Sequence, residues 1–139
     1  MNVAQQLRRA LELHQARWTG RRWGARRRRA RDQAAEMLDA VGLSHARHQY
    51  PHTLSGGMCQ RLSLAQALVC APRILLLDEP FGALAPGSRA DMQALVRTLW
   101  QRLGLTGFMV THDLSEAFAL ASRVLVLDRL RLDPQAPDA

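Results

Sequence analysis

Apolar side chains recur along this chain at helical spacing in some stretches and in unbroken runs in others. Val3, Leu7 and Leu11 stand four apart and predict a short amphipathic helix. Ala34, Leu38 and Val41 predict a second helix, from about Asp32 to Val41, with Gly42 as its C-terminal stop. Met58, Leu62, Ala65 and Val69 predict a third, which Pro72 must end. From Arg73 onward the pattern becomes regular. Ile74–Leu77, Phe108–Thr111 and Val124–Leu127 are continuous apolar runs, the pattern of strands covered on both faces. Between the first two runs, Met92, Leu95, Val96, Leu99 and Leu103 keep helical spacing, with Ser88 placed to cap and Gly104 to close. Before the last run, Asp113 and Glu116 stand in capping-box spacing ahead of Ala117, Leu120 and Ala121. Strand, helix, strand, helix, strand predicts an α/β fold with a short parallel sheet.

Composition changes this picture in one place. All 19 basic residues are Arg, and the chain of 139 residues contains no Lys. Ten of those Arg fall between Arg8 and Arg31 against a single acid, Glu12, a local balance of +9. The remainder carries nine Arg and eleven acids, a balance of −2. The basic character therefore belongs to a segment, which reads as a solvated face or loop, or as a contact for an anionic partner. Trp18 and Trp23 lie within it, but two Trp without a recognition module do not favour nucleic acid over lipid headgroups. Cys59 and Cys70 lie eleven apart on one predicted helix, about 16 Å by helix rise, too far to bridge. His45, His48 and His52 have helical spacing, but Pro51 interrupts it and no acid or Cys joins them, so a metal set is not expected. No apolar run reaches the length of a membrane span. The Arg-rich start lacks the apolar stretch of a secretory signal, and its weak apolar face disfavours a transit peptide.

The candidate chemistry gathers around Leu54 to Pro80. Ser55, Gly56, Gly57 and Met58 open a predicted helix, so backbone N–H groups and the positive helix end face outward, as an anion requires. The strand that follows delivers Asp78 and Glu79 to its C-terminal end, where α/β sheets bind ligands. An acidic pair there suits a magnesium phosphate: the first carboxylate holds the hard cation through water and the second orients an attacking water. His112 follows the neighbouring strand, on the same edge of a parallel sheet, within reach of a terminal phosphate. Each feature alone is commonly a turn, a cap or a structural histidine; the set in this order is not.

These residues resemble the ATP-binding cassette (ABC) transporter ATPases. Leu54-Ser55-Gly56-Gly57-Met58 resembles the family's signature motif, with Gln60-Arg61 behind it, and Ile74 to Glu79 resembles the Walker B strand. Phe81-Gly82-Ala83-Leu84 resembles the start of the D-loop, and Thr111-His112-Asp113 the switch histidine. The flavour of these motifs is most similar to importer ATPases of the nitrate, sulfonate and taurine type. The resemblance covers residues 32–128 and implies a partial P-loop NTPase fold, a helical subdomain followed by the parallel sheet with flanking helices. It implies that Ser55, Gly56, Gly57 and Met58 serve the γ-phosphate of ATP held by a second ATPase subunit in a head-to-tail dimer. It also implies that Asp78 supports Mg²⁺, that Glu79 acts on water, and that His112 contacts the γ-phosphate. Residues 1–53 would be the remnant of the helical subdomain that meets the permease, with the Arg segment near anionic lipid. Residues 54–128 would be the α/β half with the signature helix, the Walker B strand and the switch histidine, and 129–139 a C-terminal tail, the whole lying on the cytoplasmic face of the membrane.

Two departures shape the expectation. The phosphate loop G-x-x-x-x-G-K-[ST] is absent, as it must be in a chain without Lys, and Met1-Asn2-Val3 resembles a point just past the family's Q-loop. Ala85 stands where the D-loop has Asp. The sequence therefore reads as the C-terminal half of such an ATPase, inactive alone and needing a partner with the phosphate loop to use ATP and Mg²⁺. The alternatives are a noncatalytic interaction module or a truncated remnant. Missing strands should also leave a bare sheet edge and an uncovered apolar face.

Overall fold

The computed structural model describes residues 1–16 and 23–127. Helix α1 (Val3–Ala16) opens with a reciprocal cap: Asn2 N–H donates to Gln5 Oε1 and Gln5 N–H to Asn2 Oδ1, both at 2.9 Å. Its stripe, Val3, Leu7 and Leu11, is buried as the spacing predicts. Helix α2 (Trp23–Ala40) starts nine residues earlier than the pattern suggests, because Arg-rich sequence has good helix propensity even without an apolar stripe. Ala34, Leu38 and Val41 face the core, and Gly42 takes φ +72° to end the helix. Two short 3-10 turns, Ser44–Ala46 and Pro51–Thr53, lead to helix α3 (Gly56–Leu68).

Strand β1 (Ile74–Asp78), helix α4 (Pro86–Leu103) and strand β2 (Thr106–Val110) form the predicted unit, followed by helix α5 (Leu114–Leu120). The strands are parallel, with Leu76 opposite Phe108 and Asp78 opposite Val110. Pro86, whose fixed φ suits a first helical position, starts α4 behind Ala85, so Ser88 lies inside the first turn and does not cap it. Gly104 closes α4 at φ +59°. Helix α4 packs Met92, Val96 and Leu99 into the core that Leu75 joins, and the Trp100 ring lies over Gly107. A Cβ on Gly107 would fall 2.2 Å from that ring, so only glycine admits this crossing of helix over strand.

Two expectations fail on the sheet. The strands are covered on one face only: Leu75, Leu77 and Met109 pack inward, whereas Ile74, Leu76, Phe108 and Val110 are 57%, 74%, 60% and 62% exposed. Val124–Leu127 forms no strand and is exposed, because an apolar run becomes a strand only beside another that pairs its backbone, and none does so among the described residues. The expected bare apolar face is present.

The helical segment and the α/β unit share one buried cluster. Arg61 Nη1 donates to Val41 O at 3.2 Å, Gln66 Nε2 to Gln6 Oε1 at 2.7 Å, and Gln60 Nε2 to Pro80 O, joining α3 to both sides. Cys59 and Cys70 are free thiols. His48 bonds Arg47, and the His52 ring stacks on Tyr50. The roles suggested for Trp18 and the Trp23 side chain, the side chains of Arg17, Arg21, Arg22, Arg26 and Arg27, and the segment from 128 onward lie outside the described residues.

Candidate functional site

Helix α3 begins where Ser55, in extended conformation, turns its side chain back to accept from Met58 N–H at 3.3 Å. The first intrahelical bond runs from Cys59 N–H to Ser55 O, so the N–H groups of Gly56 and Gly57 have no helical carbonyl to pair with. A Cβ on either glycine would meet nothing within 4 Å. This end of α3 borders a cavity of about 160 Å³ lined by Ser55, Gly57, Arg61, Leu84, Ser88 and Asp91. The signature-like residues thus lie beside the first turn of α4. A larger cavity, about 320 Å³, opens at the opposite end of the strands among Ala71, Arg73 and Gly104, away from the acidic pair.

The second group sits at the C-terminal strand ends. Asp78 closes β1 and is exposed. Glu79 continues the ladder by donating its N–H to Val110 O at 2.9 Å, and it holds φ +44°, a conformation that costs a non-glycine residue of order 1 kcal/mol. Glu79 Oε1 accepts from His112 N–H at 3.0 Å and pairs with His112 Nδ1 at 2.8 Å. That hydrogen bond, and then the carboxylate charge, raises the His112 pKa above its ordinary value, so the exposed imidazole stays cationic to higher pH. The parallel register brings Glu79 and His112 together, as the topology predicts.

Behind this pair lies a network that the sequence did not disclose. Asp113 caps α5 by accepting from Ser115 N–H at 2.8 Å and Glu116 N–H at 3.4 Å. The Ser115 hydroxyl and backbone bonds hold the Asp113 carboxyl below the usual range. The predicted capping box is only half made. Glu116 does not return to Asp113 N–H, which donates instead to Thr111 Oγ1 at 3.0 Å. The buried Glu116 accepts from the Thr111 hydroxyl at 2.8 Å, and Arg89 reaches Asp113 at 3.4 Å and Glu116 at 3.8 Å. Arg89 carried no signal in the sequence, because its partners lie more than twenty positions away. Ala85, at the head of α4, offers no side-chain cap where Asp would have supplied one.

A family model described as ABC transporter matches residues 2–82, more than half of the chain, and stops before β2 and His112. The aliphatic sulfonates import ATP-binding protein SsuB of Yersinia pestis is 52% identical over 102 residues, which cover 73% of this chain and 38% of that protein. SsuB of Ralstonia nicotianae is 55% identical over 105 residues, covering 74% and 37%. The chain thus spans little more than a third of the length of the curated relatives it matches. In fold, it superposes with TM-score 0.74 on a chain from an ABC transporter of a proposed metal-chelate type in an inward-facing conformation. That match has 24% identity and covers 87% of this chain and 47% of the other.

Proposed function

The chain belongs to the ABC transporter family, and from that premise we propose that it supplies the signature helix and the Walker B and switch-histidine corner of an ATP-binding subunit of an importer. The observation that carries this reading is the pairing of Glu79 with His112 at the strand ends, adjacent to the exposed Asp78. Glu79 orients the attacking water, and His112, whose pKa the Glu79 hydrogen bond raises, meets the terminal phosphate. Ser55, Gly56, Gly57 and Met58, at an uncovered helix N-terminus, meet the γ-phosphate of ATP bound on a second ATPase subunit.

The donors fit one kind of cation. No group of three potential ligands gathers among the described residues, so Asp78 suits a hydrated Mg²⁺ shared with phosphate oxygens, not a cation caged by protein alone. Bound Mg²⁺ supplies charge neutralisation. ATP itself needs a phosphate loop from another polypeptide segment, since residues 1–139 hold no Lys. On this reading residues 1–53 belong to the helical subdomain facing the permease, 54–128 to the catalytic half, and 129–139 to a tail.

Import of a sulfonate-type solute is the reading that the names of these relatives, aliphatic sulfonates import ATP-binding proteins, support. No helix of the described residues is long and apolar enough to cross a membrane. As the ATP-binding subunit of an importer, the chain would attach from the cytoplasmic side through the permease. The exposed Arg28, Arg29 and Arg31 on α2 would lie near anionic headgroups. Binding to anionic vesicles that persists unchanged from low to high salt would count against that contact.

Gly57→Asp tests the signature role with opposite signs in two measurements. A carboxylate at the first turn of α3 favours the helix dipole by about 0.3–1 kcal/mol, and the open space around Gly57 accommodates it. The same charge repels phosphate. With Mg²⁺ and a non-hydrolysed ATP analogue, the chain should associate with Ralstonia nicotianae SsuB, and Gly57→Asp should weaken that association roughly tenfold or more. Its Tm should be unchanged or raised. Equal association in both forms, or none in either, contradicts the assignment.

A further inference from the structure

Glu116 is the one buried charged side chain among the described residues, 2% exposed, and a carboxylate out of water must be paired. Its partners are specific. Thr111 Oγ1 lies 2.8 Å from Glu116 Oε2, and Arg89 Nε, buried and without a hydrogen bond of its own, faces Glu116 Oε1 at 3.8 Å. An ionised carboxylate only accepts, so the Thr111 proton must point at Glu116. The hydroxyl oxygen is then left to accept from Asp113 N–H at 3.0 Å. The two bonds grip the backbone on either side of His112. Helix capping does not explain them, because Asp113 already satisfies the first turn of α5.

We propose that Glu116 is a positioning residue for His112, acting through the Thr111 hydroxyl. With residues 111 and 113 fixed, the His112 N–H and Nδ1 both converge on Glu79 Oε1, at 3.0 and 2.8 Å. Arg89, in the first turns of α4, holds the acidic end of the network through Asp113 Oδ2 and compensates the Glu116 charge. The ring itself is 81% exposed, so little packing can orient it and its placement depends on this backbone clamp. The significance for catalysis rests on the ATP reading of Glu79 and His112; the clamp itself does not require nucleotide.

The test is nitrogen NMR of His112 in the whole chain labelled with ¹⁵N-histidine, without nucleotide and at one pH. Glu79→Ala sets the ring shift of the unpaired histidine. Thr111→Val, which keeps the shape and removes the hydroxyl without changing any charge, and Glu116→Ala, which removes no hydrogen bond to His112 or Glu79, are each expected to move the Nδ1 resonance more than halfway to that value. Thr111→Ser restores the hydroxyl and is expected to keep the wild-type shift, which separates positioning from mere loss of packing. Wild-type shifts in both Thr111→Val and Glu116→Ala overturn the proposal. If Glu116→Ala does not fold, the contrast between Thr111→Val and Thr111→Ser decides alone. Failure here leaves the ATP role of Glu79 untouched, and failure of ATP-dependent association with SsuB leaves the clamp untouched.

Discussion

Purified residues 1–139 are expected to self-associate at micromolar concentration and to bind a hydrophobic dye, and Leu76→Thr with Phe108→Thr is expected to reverse both. Parallel pairing places Leu76 beside Phe108 on the outer face, where they are 74% and 60% exposed. Ile74 and Val110 extend that surface along the same two strands. Contiguous apolar patches of this kind are rare on monomeric proteins, and a two-stranded sheet also leaves unpaired strand edges. Burying each large side chain favours association by about 1.5–3 kcal/mol, so removing two should weaken self-association by roughly two to four powers of ten. The cost to folding should be small, because both side chains lie outside the buried cluster and Thr keeps strand propensity. Light scattering and analytical ultracentrifugation measure the change. A monomeric wild-type chain with a sharp, cooperative thermal transition would contradict the expectation.

The second large effect concerns turnover. Phosphoryl transfer is catalysed by positioning and by neutralising phosphate charge, and protein chemistry contributes little else. On the proposed reading, residues 1–139 would provide a water-orienting carboxylate in Glu79, an imidazole in His112 and a carboxylate for a hydrated cation in Asp78, but they hold no lysine and no phosphate loop. Glu79 Oε1 is engaged with His112, which leaves Oε2 to hold water. Against a common enzyme turnover of about 10 s⁻¹, the chain alone should be slower by at least a thousandfold, that is, without detectable magnesium-dependent activity.

The sequence disclosed whatever depended on local spacing. The stripes at Val3, Leu7 and Leu11 and at Ala34, Leu38 and Val41 gave buried helix faces, and Gly42 and Gly104 stopped helices with positive φ. Strand, helix and strand in succession were enough to put Glu79 and His112 on one edge. Most of what it concealed depended on partners distant along the chain, and some on competition between near neighbours. Continuous apolar runs implied strands covered on both faces, but an apolar run records a preference for burial, and the described residues cover only one side. Val124–Leu127 forms no strand because it lacks, among the described residues, a neighbour to pair its backbone. The Asp113–Glu116 spacing predicted a reciprocal cap, but Thr111, two residues before Asp113, competed for the amide and for the carboxylate.

The central claim is that Ser55 to Met58 serves ATP held by another subunit, while Asp78, Glu79 and His112 serve a nucleotide whose phosphate loop residues 1–139 do not contain. The most direct measurement is ATP hydrolysis by the purified chain with and without Mg²⁺, beside Glu79→Gln. The account predicts no magnesium-dependent turnover and no difference between the two proteins. Magnesium-dependent turnover that disappears in Glu79→Gln would contradict it.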